Sequence, residues 1–214
     1  MRENYTRDLN RVHDALIDMG SMIEAAISGA VSVLYNHDEK KAREIIAFDE
    51  EVDAKEREIE DLCMKLLLRQ QPVAGDLRKI SVALKLITDM ERIGDHAADI
   101  SEIAMMLKEA PNPGKTHLQE MAMQTSTMLI SSIESYVELD IDKAQKVIAH
   151  DDIVDDLFVS VKRELIEQMR TNPEQGEMAA DLLMAAKYFE RIGDHATNIA
   201  EWVIYAATGK HAEI

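Results

Sequence analysis

The seven residues Glu91-Arg92-Ile93-Gly94-Asp95-His96-Ala97 recur letter for letter as Glu190-Arg191-Ile192-Gly193-Asp194-His195-Ala196. An internal repeat fixes domain count and fold together, because both copies must form the same local structure. The repetition extends well beyond the heptapeptide. Asp38 to Asp53 aligns with Asp140 to Asp155 at a constant offset of 102, with identity at Asp38/Asp140, Lys41/Lys143, Ala42/Ala144, Ile46/Ile148, Ala47/Ala149, Asp49/Asp151, Val52/Val154 and Asp53/Asp155. The heptapeptides lie 99 apart, so the second half is three residues shorter in between. Each half, about 105 residues, is long enough to close a small bundle around its own core.

With 8 Gly, 4 Pro and only 4% aromatic residues, the chain lacks the β-branched, aromatic and turn-forming material of a sheet. Ala, Leu, Ile, Met, Glu and Lys are the helix formers, and an all-α fold follows. Apolar residues at three- and four-residue steps, Leu9, Val12, Leu16, Met19, Ile23, Ile27, Ala30, Val31 and Leu34, predict a first helix over about Asn4 to Asn36. Gly20 and Gly29 weaken it locally. Asp38 is placed to cap a second helix reaching about Arg69. A turn at Gln70 to Asp76, with Asp76 as cap, leads into a third helix ending near Lys108. Ala110-Pro111-Asn112-Pro113-Gly114 is the clearest boundary, since two prolines and a glycine cannot continue a helix. The scheme then repeats: a fourth helix from about Lys115 to Leu139, a fifth capped by Asp140 and ending near Met169, and a sixth after Thr171-Asn172-Pro173 that stops at Gly209. The expected architecture is two antiparallel three-helix bundles in tandem, over residues 1–110 and 115–214.

Positions four apart on a helix differ by about 40° around the axis, so Glu91, Asp95, Asp99 and Glu102 share one sector of about 80°. Glu190, Asp194, Asn198 and Glu201 form the matching sector of the last helix. These acids flank the apolar stripe of Ala83, Leu84, Ile87, Met90, Gly94 and Ala97, while Arg78, Lys85, Arg92 and His96 take the far side. The preceding helices carry their own acid pairs: Asp49 with Asp53, Asp151 with Asp155, and Asp152 with Asp156. Like charges at this spacing cost about 0.2–0.5 kcal/mol per pair, and two ladders facing one groove repel further unless protons or cations intervene. Hard ions bound by carboxylate oxygen, Mg, Ca, Mn or Fe, relieve that repulsion, and Zn fits less well for want of soft ligands. One metal site per bundle is expected, against the alternative that the ladders are simply solvated faces. Gly94 and Gly193, each costing about 1 kcal/mol against alanine in mid-helix, point to close approach of a neighbouring helix or of a ligand. His96 and His195 lie about 140° from the Glu that opens their motif and read as surface or supporting residues, not as ligands.

Several functions are excluded or disfavoured. A balance of 24 Lys+Arg against 41 Asp+Glu argues against a nucleic-acid phosphate surface. The sole cysteine, Cys63, lies in the apolar run Leu62 to Leu68 and reads as inert core filler. No signal-peptide pattern and no continuous run of about 18 apolar residues is found, so a cytoplasmic location is expected. No Glu has a His three residues later, which disfavours ferritin-like di-iron chemistry. Phosphate-binding Gly-rich loops, His-Glu-x-x-His and Gly-x-Ser-x-Gly are missing too, and the chain reads as non-enzymatic.

With Glu-Arg-Ile-Gly-Asp-His-Ala twice, Asp-x-x-x-Asp upstream of each copy, and Arg69-Gln70-Gln71-Pro72-Val73-Ala74-Gly75-Asp76-Leu77-Arg78 between, the chain resembles the PhoU family of bacterial phosphate-signalling and phosphate-transport accessory proteins over essentially its whole length. The resemblance implies two three-helix bundles, multinuclear metal clusters (iron, manganese, magnesium or zinc), a homodimer, and a cytoplasmic role at the membrane only through partners. That role would be repression of uptake and of phosphate-starvation signalling through the phosphate ABC transporter, by way of its ATPase subunit, and a sensor histidine kinase. Carried over by position, the first cluster would use Asp49, Asp53, Glu91 and Asp95, and the second Asp151, Asp155, Glu190 and Asp194. Asp99 stands where the family usually has the Asn kept at Asn198, and could add a ligand to the first site. Glu56 and Glu60 extend one ladder while Phe158 and Lys162 end the other, so the second site is expected to bind more weakly. Two readings stay open, a regulatory adaptor that docks on a membrane complex and a metal-storage or metal-dependent phosphate-binding protein, with a paralogue regulating another ion transporter as a further alternative.

Overall fold

The computed structural model describes residues 2–69, 74–112 and 114–210. Among these residues six long helices carry the fold: α1 (Arg2–Asn36), α2 (Glu39–Arg69), α3 (Ala74–Met106), α4 (Leu118–Glu138), α5 (Ile141–Thr171) and α6 (Gly176–Thr208), with one 3-10 turn at Pro173–Gln175. The stripe read for α1 is the buried one: Val12, Leu16, Met19, Ile23, Ile27, Ala30 and Leu34 are all in the core, and α1 runs unbroken through Gly20 and Gly29.

Helix ends follow local chemistry. Asp38 accepts a hydrogen bond from the Lys41 amide at 3.1 Å and Asp140 from that of Lys143 at 3.0 Å, each satisfying an otherwise orphaned first-turn donor. Gly209, at φ 75°, closes α6. Two helix starts differ most from expectation, while α1 begins at Arg2, α3 ends at Met106 and α5 at Thr171, each close to its expected place. Asp76 lies inside the first turn of α3 and does not precede it; there its charge still complements the helix dipole. α4 begins at Leu118, not Lys115, and the His117 amide just ahead of it donates to Glu164 of α5 at 2.9 Å. The turn read at Gln70–Val73 and the second proline of the boundary, Pro113, lie outside the described residues.

α1, α2 and α3 pack on one another, as do α4, α5 and α6, and the two sets meet through α3 against α6 and α1 against α4. Gly20 marks the latter contact, since a Cβ there would stand 2.9 Å from Ile133 Cγ2. One continuous apolar core runs through both sets. The stretch Tyr5–Asn36 of α1 is by length and composition able to cross a membrane, but here its apolar face is the centre of that core. Cys63 is fully buried, and burial pushes its thiol up to about 11, as core filler should be.

Candidate metal centre

The Glu91–Asp95 and Glu190–Asp194 pairs of the two ladders each face a groove between two helices that touch at a glycine. A Cβ on Gly94 would stand 3.0 Å from Val52 Cγ1 and 3.2 Å from Asp49 Oδ1, so the missing side chain lets α2 press its Asp49 carboxylate against the α3 backbone. The neighbouring helix therefore accounts for the glycine, and it delivers a carboxylate as it does so. Carboxylate oxygens of Asp49, Asp53 and Asp95 come within 4.8 Å of one another. Asp49 Oδ1 is buried and accepts no hydrogen bond from the described residues, a costly state for a carboxylate oxygen unless a proton or cation meets it.

The electrostatics follow from that crowding. Burial, then Asp95, Asp53 and Asp99, push the Asp49 carboxyl up to about 6. Burial and Asp95 raise Glu91, and burial, Glu60 and Asp53 raise Glu56. Two arginines attend the rim: Arg92 donates to Asp95 at 2.9 Å and lies 3.4 Å from Glu91, and Arg57 donates to Asp53 at 3.4 Å. An oxygen-only set with an orphaned buried oxygen fits a hard cation. Asp49, Asp53 and Asp95 would hold it, with Glu91 beside them.

The second groove is the same design in a looser form. A Cβ on Gly193 would meet Asp151 Oδ1 at 3.4 Å and Val154 Cγ1 at 3.5 Å, ordinary contact distances. Burial, Asp155 and Asp194 push Asp151 up to about 6. Asp155 is raised by burial and Glu190, and Asp194 by burial and Glu190. These four carboxylates thus share one groove, although among the described residues three oxygens converge as closely as 4.8 Å only in the first. Lys187 donates to Glu190.

Asp99 faces another way. Its carboxylate lies 3.4 Å from His96 Nδ1, and it faces Tyr188 of α6, whose phenol is raised by burial and by the Asp99 charge. It contributes to the field on Asp49 but stands outside the three-oxygen cluster. The pseudo-symmetric position repeats the arrangement with the partners exchanged: Asp89 of α3 accepts from Asn198 at 3.0 Å and pairs with His195 Nδ1 at 2.9 Å. His96 and His195 sit 5.8 Å apart, ring to ring. Both histidines are half-buried where α3 meets α6, which removes the surface alternative and leaves the supporting one, each ring being paired with an Asp.

Asp89, Tyr188 and Lys187 escaped the sequence reading. The signal for them was the mismatch just ahead of the heptapeptides, Thr88-Asp89 in one half against Lys187-Tyr188 in the other.

Comparison with known proteins gives a consistent result. The family model for the PhoU domain matches residues 16–104 and again 118–203. The chain is 37% identical to the phosphate-specific transport system accessory protein PhoU homolog of Clostridium acetobutylicum, across 100% of this chain and 98% of that relative. It is 33% identical to the protein so named in Deinococcus radiodurans, across 98% and 99%. Among solved structures, PhoU from Pseudomonas aeruginosa superposes with a TM-score of 0.92 at 32% identity, covering 96% of this chain and 100% of that one. The phosphate transport system regulatory protein PhoU from Streptococcus pneumoniae superposes at 0.89 with 24% identity, a likeness of fold.

Proposed function

Because the chain belongs to the PhoU family, we propose that it is an accessory regulator of a phosphate-specific transport system, acting as an adaptor that holds metal ions in its two acidic grooves. The observation that carries this reading is end-to-end similarity, in sequence and in fold, to proteins named for that accessory role. In this reading the protein lowers phosphate uptake and starvation signalling by docking, from the cytoplasmic side and as a homodimer, on the transporter's ATPase subunit and on a sensor histidine kinase. Bound cations would neutralise carboxylates that otherwise repel across the grooves. What the chain itself supplies is the clamp. α2 and α3 bring Asp49, Asp53, Glu91 and Asp95 together, α5 and α6 bring Asp151, Asp155, Glu190 and Asp194, and the α3–α6 seam fixes one groove against the other.

The test is genetic and biochemical together. Loss of the protein should raise phosphate uptake under phosphate-replete growth, and tagged full-length protein should co-purify with the transporter ATPase. Unchanged uptake with no association would sink the adaptor reading. Phosphate affinity that arises only after metal loading would instead favour direct phosphate binding at the grooves.

A further inference from the structure

The two grooves differ at one corner. Thr88 in the first half has Lys187 as its counterpart 99 residues on, and Glu56 has Phe158 as its counterpart 102 residues on. In the first groove Glu56 adds negative charge beside Asp53 and Glu91, while the Thr88 hydroxyl turns back to the Leu84 carbonyl at 3.2 Å. In the second, the Lys187 ammonium donates to Glu190, stands 5.3 Å from the centroid of the Phe158 ring and offsets the negative field on Asp155 and Asp194. One acid is lost and one base gained at the same place. The two replacements also support each other, because an aromatic face attracts an ammonium through its quadrupole while a carboxylate at Phe158 would have paired with it.

The arginines of the first groove also offset charge, Arg92 at Glu91 and Arg57 at Glu56, but they do so from further out. Arg57 and Arg92 are 63% and 56% exposed and reach inward from the rim, whereas Lys187 is 39% exposed and ends on a Glu190 that is only 15% exposed. A lysine is also suited to a reversible contact, since its compact charge rides on a flexible four-carbon stem that can withdraw into solvent.

We propose that Lys187 is a tethered counter-cation of the second groove, competing with a metal ion for Glu190, Asp155 and Asp194, so that the first groove fills at lower metal concentration and the second fills only when the Lys187 ammonium swings out. The proposal rests on the metal-binding reading above. It gives the protein two thresholds of metal occupancy in place of one.

The experiment is a calorimetric titration of chelator-stripped, full-length protein with Mn²⁺, the bound ion counted by electron paramagnetic resonance. Wild type should show two classes of site, the tighter one lost in Asp49→Asn with Asp95→Asn. Lys187→Met, which keeps the aliphatic stem on Phe158 but removes the charge, should tighten the weaker class by about tenfold. Lys187→Arg should leave that class weak, and Phe158→Glu with Lys187→Thr should draw the two classes together. The reverse exchange, Glu56→Phe with Thr88→Lys, should weaken the tighter class and carries the same question should Lys187→Met not fold. A second class unchanged in a normally helical Lys187→Met protein would overturn the proposal and leave the metal reading standing. No Mn²⁺ bound by either wild type or Lys187→Met would overturn both.

Discussion

Gly94 and Gly193 occupy the same place in two identical heptapeptides, yet they are not equivalent. At Gly94 a Cβ would crowd Val52 at 3.0 Å, and Val52 is fully buried with nowhere to move. At Gly193 the nearest atoms stand at 3.4 and 3.5 Å, within ordinary contact. Alanine gains about 1 kcal/mol of helix propensity at either position. Gly193→Ala should therefore raise the thermal midpoint by about 2–4 °C, and Gly94→Ala should lower it while displacing Asp49. Equal upward shifts in both variants would contradict the close packing described at Gly94. Individual side chains were also where the sequence was hardest to read. The acids were legible because helical spacing alone puts Glu91 and Asp95 on one flank. His96 and Lys85 were assigned to the far side of α3, which is correct as an angle. With each bundle considered alone, however, that side looks solvated. In the molecule it meets α6, where Lys85 lies 5.8 Å from the Trp202 ring and His96 packs on Tyr188 at 5.2 Å.

At the scale of helix pairs, the grooves make stability depend on pH. The Asp49 and Asp151 carboxyls stand at about 6 in the fold against an ordinary 3.8, so over that interval the folded protein holds more protons than the unfolded chain. Their contribution is fully present below the ordinary value and is lost as pH rises through about 6. Asp155, Asp194, Glu91 and Glu56 are raised too, burial first in each, and act in the same direction. Chelator-treated protein should therefore melt at a lower temperature at pH 7 than at pH 5. Saturating Mn²⁺ should flatten or reverse that trend, because metal and protons compete for the same oxygens. A chelated protein whose midpoint rises over this interval would contradict the crowding of the acids. Helix number, order and most ends were legible because caps such as Asp38 and Asp140 and the stop at Gly209 act locally. The start of α4 was not, and the residue just ahead of it, His117, is held by Glu164 of α5, a contact across helices that local pattern does not reveal.

For the whole molecule, the repeat correctly announced two helical sets, but not the core they share. We expect the halves 1–110 and 115–214, produced as separate chains, to recombine one to one, each alone melting well below the full-length protein. The face of α3 bearing Asp89, Lys85 and His96 and the α1 surface at Gly20 would otherwise lose α6 and α4 as cover. Sedimentation and thermal melts check this, and two stable monomeric halves with the full-length midpoint would contradict it. His96 and His195 lie at this seam, and each directly follows a groove acid, Asp95 or Asp194, so each groove abuts the interface through the next residue of its own motif. The claim on which this account turns is that the paired ladders bind cations. Its most direct test is elemental analysis of dialysed full-length protein, wild type against Asp95→Ala with Asp194→Ala, with thermal midpoints taken before and after chelation. We predict bound metal and a chelator-sensitive midpoint in wild type, and loss of both in the double variant with helicity retained. A metal-free wild type whose midpoint ignores chelator, or a double variant that keeps its full metal content, would contradict the assignment.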